Sequence, residues 1–308
     1  MRRPNDQRTR NAIRTIPAPE YPLLEFNFLS EQVPDAVPPG ASANADSQAR
    51  SGAAGRRRRR ARNTARMTKR IRLGILTPSS NTVLEPLTSA LLGGLPGVSA
   101  HFARFRVTEI SLRQASLGQF DDAAILDAAR LLADARVDSI GWSGTSSGWL
   151  GFEADARLAR RIGDATGIAA TSSVLALNEI LAKTGAKSLG LVTPYLAGVQ
   201  ERIAANYARA GISVCAERHL DLATNFEFAE VGAQQLRAMV TEVAAARPDA
   251  ITTFCTNLRA AQLVPQLELE TGIPLYDTVA TVVWKQLRMA GVDARAVEGW
   301  GRLFQEVQ

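Results

Sequence analysis

Cysteine and histidine are nearly absent from this chain, with two of each in 308 residues. Cys215 and Cys255 cannot make a disulfide framework, and the expected compartment is a reducing one, the cytoplasm. His101 and His219 form no cluster with cysteine or paired carboxylates, so no metal-ligand spacing is present and no cofactor is expected. No nucleophile elbow with a histidine partner is visible. No Gly-x-Gly-x-x-Gly run follows a predicted strand, which leaves a dinucleotide site unsupported. No stretch of about 18 consecutive apolar residues occurs, so no membrane-spanning helix is expected.

What is present is unevenly placed. The net charge of +6 belongs to the first 66 residues, which hold 13 Arg against 6 acids; the rest carries 23 Lys plus Arg against 24 acids. Residues 1–69 lack helical or strand periodicity and are rich in Pro, Ala, Ser, Asn and Arg, the composition of a disordered basic leader. The run Arg56–Arg60, with Arg62 and Arg66, has the charge to bind nucleic acid or an anionic surface. The simpler expectation is an inert tail, or a chain whose true start is Met67, with no nucleic-acid partner.

From Ile71 onward short apolar runs alternate with longer amphipathic ones. Strands are predicted at Ile71–Leu76, Ala100–Val107, Ser139–Ser143, Ser188–Thr193, Ser213–Glu217, Ala250–Phe254 and Pro274–Tyr276. In Asp121–Ala135, Ile125, Ala128, Ala129 and Leu132 share one helical face, and Phe228–Arg247 behaves likewise up to Pro248. Strand–helix alternation predicts an α/β fold with parallel sheets. The chain also repeats itself. Leu73–Pro86 echoes Leu189–Arg202, and Asp138–Ser147 echoes Asp249–Leu258, so that Gly144 falls on Cys255 and Thr145 on Thr256. Two flavodoxin-like lobes related by a pseudo-twofold axis are therefore expected, with the site between them. One lobe comprises residues 70–182 with a returning segment 279–308, and the other comprises residues 183–278.

In open α/β sheets ligands sit beyond the carboxyl ends of the strands, which selects four loops. Ser79, Ser80 and Asn81 leave the first strand and open a helix. Their amides and hydroxyls suit a carboxylate, or Asn81 is an ordinary helix cap. Thr145 and Ser146, beside Gly144, offer hydroxyls and amides to an oxyanion, or form a flexible turn. Tyr195 is a phenol donor or a cover over a helix start. Cys255, with Thr256 and Asn257, is a buried structural thiol or an acid–base group. The second reading expects helix-start dipoles to lower its pKa and make it more reactive than a free thiol near pH 7. Asn225 sits on a loop that can contact substrate. Cys215, inside a predicted strand, is expected in the core, and His219 at the surface.

The motifs Pro78–Thr82, Gly144–Ser146, Thr193–Tyr195, Cys255–Asn257 and Gly299–Phe304 occur in an order that resembles the aspartate/glutamate racemase superfamily. Within it the likeness is to the branch of maleate cis-trans isomerase and arylmalonate decarboxylase. That resemblance covers nearly all of Ile71–Phe304. It implies the two-lobed racemase fold and a cofactor-independent enzyme acting next to a carboxylate of a small mono- or dicarboxylic acid, in a chain that could form a homo-oligomer. Cys255 would be the proton donor, with Tyr195, Thr145 and Ser146 around an enediolate. Ser79, Ser80, Asn81, Gly144, Thr256, Asn257 and Asn225 would contact substrate. Maleate isomerases carry a first cysteine where this chain has Gly144, and that substitution resembles arylmalonate decarboxylase. The resemblance therefore favours decarboxylation with protonation by a single thiol. Isomerisation or racemisation comes second, and a non-catalytic carboxylate binder is the reading from another class.

Overall fold

The computed structural model describes residues 70–120 and 122–308; the expected basic leader, its arginine run and Met67 lie outside them. The described residues belong to one compact unit. The first half runs β1 (Ile71–Pro78), α1 (Leu84–Leu92), β2 (Val98–Phe105), α2 (Gln114–Leu117), α3 (Asp122–Asp134), β3 (Ser139–Trp142), α4 (Ser147–Leu150), α5 (Phe152–Thr166), β4 (Ala170–Ser172) and α6 (Ser173–Thr184). The second half runs β5 (Ser188–Val192), α7 (Ala197–Arg209), β6 (Ser213–Arg218), α8 (Ala233–Ala244), β7 (Ala250–Thr253), α9 (Val264–Thr271), β8 (Leu275–Asp277) and α10 (Thr278–Met289). A short α11 (Arg302–Glu306) closes the chain. No helix among the described residues is long and apolar enough to cross a membrane.

The strands form two parallel four-stranded sheets of the same order, β2-β1-β3-β4 and β6-β5-β7-β8. Central strands with helices on both faces read as apolar runs, because both sides of the pleat are buried. β3, β7 and the second half of β1 are buried throughout. The halves also share register. Trp142 pairs with Ser172 at the end of the first sheet, as Thr253 pairs with Asp277 at the end of the second. These pairings make Trp142 the counterpart of Thr253 and Ser172 the counterpart of Asp277.

β4 and β8 lead straight into α6 and α10, each strand's last residue serving as the helix cap. Ser172 Oγ accepts from Leu175 N, and Asp277 accepts from Val279 N and Ala280 N. The two helices pack on each other, and α10 reaches back to the first sheet. There Gln286 Nε2 donates to Gly74 O at 2.9 Å and Ser139 Oγ at 3.1 Å. Trp284 Nε1 donates to Val307 O, fixing the chain end against the same helix.

Four expectations need correction. The three-residue strand β4 was not foreseen, since it is too short to show a period. The predicted helix Phe228–Arg247 starts later. Asn225–Glu230 is a 3-10 turn, Val231 and Gly232 are extended, and α8 begins at Ala233. The break lets Phe228 bury its ring against Tyr195, with centroids 5.5 Å apart. Cys215 is exposed rather than in the core. It is the extra residue of a β-bulge on edge strand β6, between Val214 paired with Leu189 and Ala216 paired with Gly190. His219 is half-buried rather than at the surface, with Nδ1 2.9 Å from Glu217 Oε2.

Candidate active site

The facing loops grow from the ends of β1, β3, β5 and β7. After β7 the chain does not enter a helix at once. Phe254 N donates to Val192 O, and Leu258 N folds back onto Cys255 O in a turn. That turn tucks the Cys255 thiol inside, 2% exposed. The Asn257 amide donates to Sγ at 3.4 Å.

Burial pushes the Cys255 thiol up to about 12. The Tyr195 hydroxyl and the Asn257 and Leu258 amides counteract that rise, and the nearby Asp277 charge adds to it. The expectation of a lowered pKa and a reactive thiolate is thus overturned. The loop supplies a turn in a dry setting instead of a helix start, and desolvation of the thiolate outweighs the few amide dipoles. At neutral pH Cys255 is an S–H donor.

Tyr195 stands beside this thiol and is itself raised well above its ordinary range, chiefly by burial and next by the Cys255 charge. It is a neutral O–H donor. Its ring is held edge-on by Trp149 and Phe228, and its hydroxyl lies 2.7 Å from Thr145 Oγ1 of the opposite lobe. A second cross-lobe link runs through Thr256, whose Oγ1 donates to Ser143 O at 3.2 Å and accepts from Asn81 Nδ2 at 3.2 Å. The amides of Thr145, Ser146, Cys255 and Thr256 donate to no acceptor among the described residues. The mirrored loops therefore face each other as the internal repeat requires. Two hydrogen bonds, Thr145 to Tyr195 and Thr256 to Ser143, hold these loops together across the halves.

The remaining expected residues form a hydrogen-bond network between the halves. Asn81 is an ordinary cap as well as a cross-lobe donor, since its Oδ1 accepts from Val83 N and Leu84 N. Ser79 and Ser80 both bond Val107 through their hydroxyls. Asn225 Nδ2 donates to Ser80 Oγ at 2.8 Å, and its carbonyl accepts from Asn257 Nδ2 at 2.6 Å. Asn257 Oδ1 in turn accepts from Thr82 N. Above them Thr108 and Ile110 pair with Asn225 and Ala223 in an antiparallel bridge between the lobes. Ser79, Ser80, Asn225 and Asn257 thus have their side chains engaged with protein partners.

The run Gly144–Gly148 spells Gly-x-Ser-x-Gly, yet no histidine approaches Ser146. His101 bonds Ser99, and His219 lies between Glu217 and Asp221. Among the described residues no group of three His, Cys, Asp or Glu side chains could hold a metal ion.

Sequence reasoning missed Asp277 and Trp142. Asp277 is fully buried, is pushed up to about 6 by burial, and accepts from Thr253 Oγ1 at 2.7 Å beneath the thiol. The available signal was an acid between a short strand and an apolar helix, at the place where the first repeat has Ser172. Trp142 carried no polar signal; its part in the site is steric.

Comparison with known proteins agrees with this fold. The family model described as arylmalonate decarboxylase matches residues 87–304. The arylmalonate decarboxylase of Bordetella bronchiseptica is 29% identical over 186 residues, 59% of this chain and 78% of that protein. The maleate isomerase of Nocardia farcinica is 28% identical over 247 residues, 76% of this chain and 96% of that protein. A structure of the Nocardia farcinica maleate cis-trans isomerase is also similar. It is a cysteine-to-serine mutant with a covalently bound succinylcysteine intermediate, and it superimposes with a TM-score of 0.71 at 26% identity, covering 77% of this chain and 99% of that one. With the paired sheets and the single buried thiol between them, these likenesses make the chain an enzyme of the aspartate/glutamate racemase superfamily, and it belongs to the arylmalonate decarboxylase family.

Proposed function

We propose that this enzyme removes carbon dioxide from a small malonate-type dicarboxylic acid and protonates the resulting enediolate from Cys255. The observation that carries the reading is a buried, protonated thiol beside the Tyr195 hydroxyl, which bonds Thr145 next to Gly144 of the other half. Carbon dioxide leaves when the C–C bond breaks. Its electron pair passes to the α-carbon and is shared with the remaining carboxylate as an enediolate. The hydroxyl of the Tyr195–Thr145 pair that keeps its proton free, with the Ser146 hydroxyl and the loop amides, would hold that charge. Such donors are worth on the order of 3 kcal/mol each in a water-excluded site. The Sγ proton then moves to carbon. The transfer is downhill even from a thiol at about 12, because a carbon acid next to a carboxylate is far weaker. The thiolate left behind regains its proton from water as product leaves. No cofactor is assigned a step. The unpaired cysteines are consistent with a reducing cytoplasm, where we place the enzyme.

A second reading, cis-trans isomerisation of maleate, is favoured by the likeness to the Nocardia farcinica enzyme over almost its whole length. Gly144 weighs against it, since the first lobe offers no thiol to add to a double bond.

Carbon dioxide release from substituted malonates by wild type and Cys255→Ala, with maleate assayed alongside, separates the two. In D2O the product should carry one deuterium at the α-carbon in a single configuration. The variant should lose at least about 10²-fold in rate while keeping its circular dichroism spectrum. Conversion of maleate to fumarate without decarboxylation of any malonate would reject the first reading.

A further inference from the structure

We infer that Trp142 is the specificity-determining residue that makes this site one-sided, because its indole occupies the volume that any side chain at position 144 would need. A Cβ built on Gly144 would lie 2.0 Å from Trp142 Cζ2, 2.4 Å from Cε2 and 2.5 Å from Cη2. The indole has little room to move aside. It is 2% exposed, and the Phe105 ring lies against it with centroids 5.0 Å apart. The backbone does not ask for glycine, since Gly144 is not among the residues with positive φ. Only the neighbouring indole does.

The other lobe shows what a thiol at this height requires. Thr253, the counterpart of Trp142, is small, and its hydroxyl is drawn down onto Asp277, leaving space for Cys255 two residues later. In the first lobe the small residue and the large one have changed places. Trp142 fills the strand end, Gly144 stands in place of the thiol, and Ser172 replaces the carboxylate. The first lobe is therefore closed to a second acid–base group, which is more than lacking one. A proton can reach the reacting carbon only from the Cys255 face. This stereochemical consequence rests on the proposed acid–base role of Cys255; the steric claim does not.

Two measurements separate those parts, both in a Cys215→Ser background. The first is a double-mutant cycle on the urea unfolding midpoint with Gly144→Ala, Trp142→Thr and both together. At an unstrained position glycine to alanine raises stability. Here Gly144→Ala should lower the midpoint, and the same change made on Trp142→Thr should leave it unchanged or raise it. Equal shifts in the two backgrounds would overturn the inference, whatever the enzyme's substrate.

The second follows exchange and inversion at the α-carbon of the monocarboxylic product in D2O. Gly144→Cys alone should interconvert the enantiomers no faster than the parent. Trp142→Thr with Gly144→Cys should racemise them, one thiolate taking the α-proton while the facing thiol delivers another. Racemisation by the single variant would show that the indole is no barrier. If the double variant stays inert while the stability cycle shows coupling, the block stands as steric fact, and the claim that it sets the stereochemistry is refuted.

Discussion

Replacing Asp277 with asparagine should remove a large share of the pH dependence of stability between pH 5 and 7. Asp155 and Asp277 are buried carboxyls, each raised from 3.8 to about 6, chiefly by desolvation. The hydroxyls of Ser172 and Ser147 for Asp155, and Thr253 with the Val279 and Ala280 amides for Asp277, only partly offset that cost. The folded state holds these protons more tightly than the unfolded chain does. Their stabilising effect is therefore complete below about pH 4 and is lost as pH rises through about 6. Between pH 7 and pH 5 each carboxyl gains about 1 kcal/mol for the fold, so the pair gives about 2 kcal/mol. Glu268, also raised by burial, adds a contribution of the same sign. Glu109, Asp249 and Asp293 are held below the usual carboxylate range by hydrogen bonds, and they lose their contribution only at lower pH, outside this window.

In Asp277→Asn the amide oxygen still accepts from Val279 and Ala280, so α10 keeps its cap, while Thr253 turns its hydroxyl to accept from the new N–H. Urea unfolding at pH 5, 6 and 7 should show the wild type gaining stability as pH falls and the variant gaining about 1 kcal/mol less. The Cys255 thiol should also titrate lower, because a nearby negative charge has been removed. Equal slopes in the two proteins, or wild-type stability that rises with pH in this window, would refute the reasoning.

Tyr195→Phe removes one neutral donor and leaves Thr145 Oγ1 without its partner; kcat should fall by about 10²-fold, with a smaller effect on KM. Asn257→Ala leaves the Asn225 carbonyl unpaired inside the protein, while the amide of exposed Thr82 can turn to water. Urea unfolding should show a loss of about 2 kcal/mol, from one buried polar group at roughly 1–3 kcal/mol. Iodoacetamide at pH 7 should label exposed Cys215 in the native protein and spare Cys255 until urea is added, read by peptide mass spectrometry; prompt native labelling of Cys255 would contradict its burial.

The lobes were legible because apolar periodicity is a local property. Ile125, Ala128, Ala129 and Leu132 mark their helix face, and β1 and β5 carry near-identical runs, wherever the rest of the chain lies. The repeat also aligned Gly144 with Cys255 and named the facing loops, since two copies of one topology put equivalent loops at equivalent places. β4 is only three residues long and is defined by its partner rather than by a pattern of its own. Cys215 escaped because a bulge shifts side-chain placement by one residue, and nothing in Ser213–Arg218 announces it.

The order of residues alone decided which chemistry each lobe can bring: a thiol with threonine and asparagine in one, and glycine with threonine and serine in the other. Folding decided the state of those groups. Whether Cys255 is a thiolate or a protonated donor depends on how much water its surroundings exclude and on a carboxylate 22 positions along the chain. Whether position 144 could ever carry a side chain depends on where one indole comes to rest. Desolvation and excluded volume act through space, between groups whose separation along the chain does not reveal their distance.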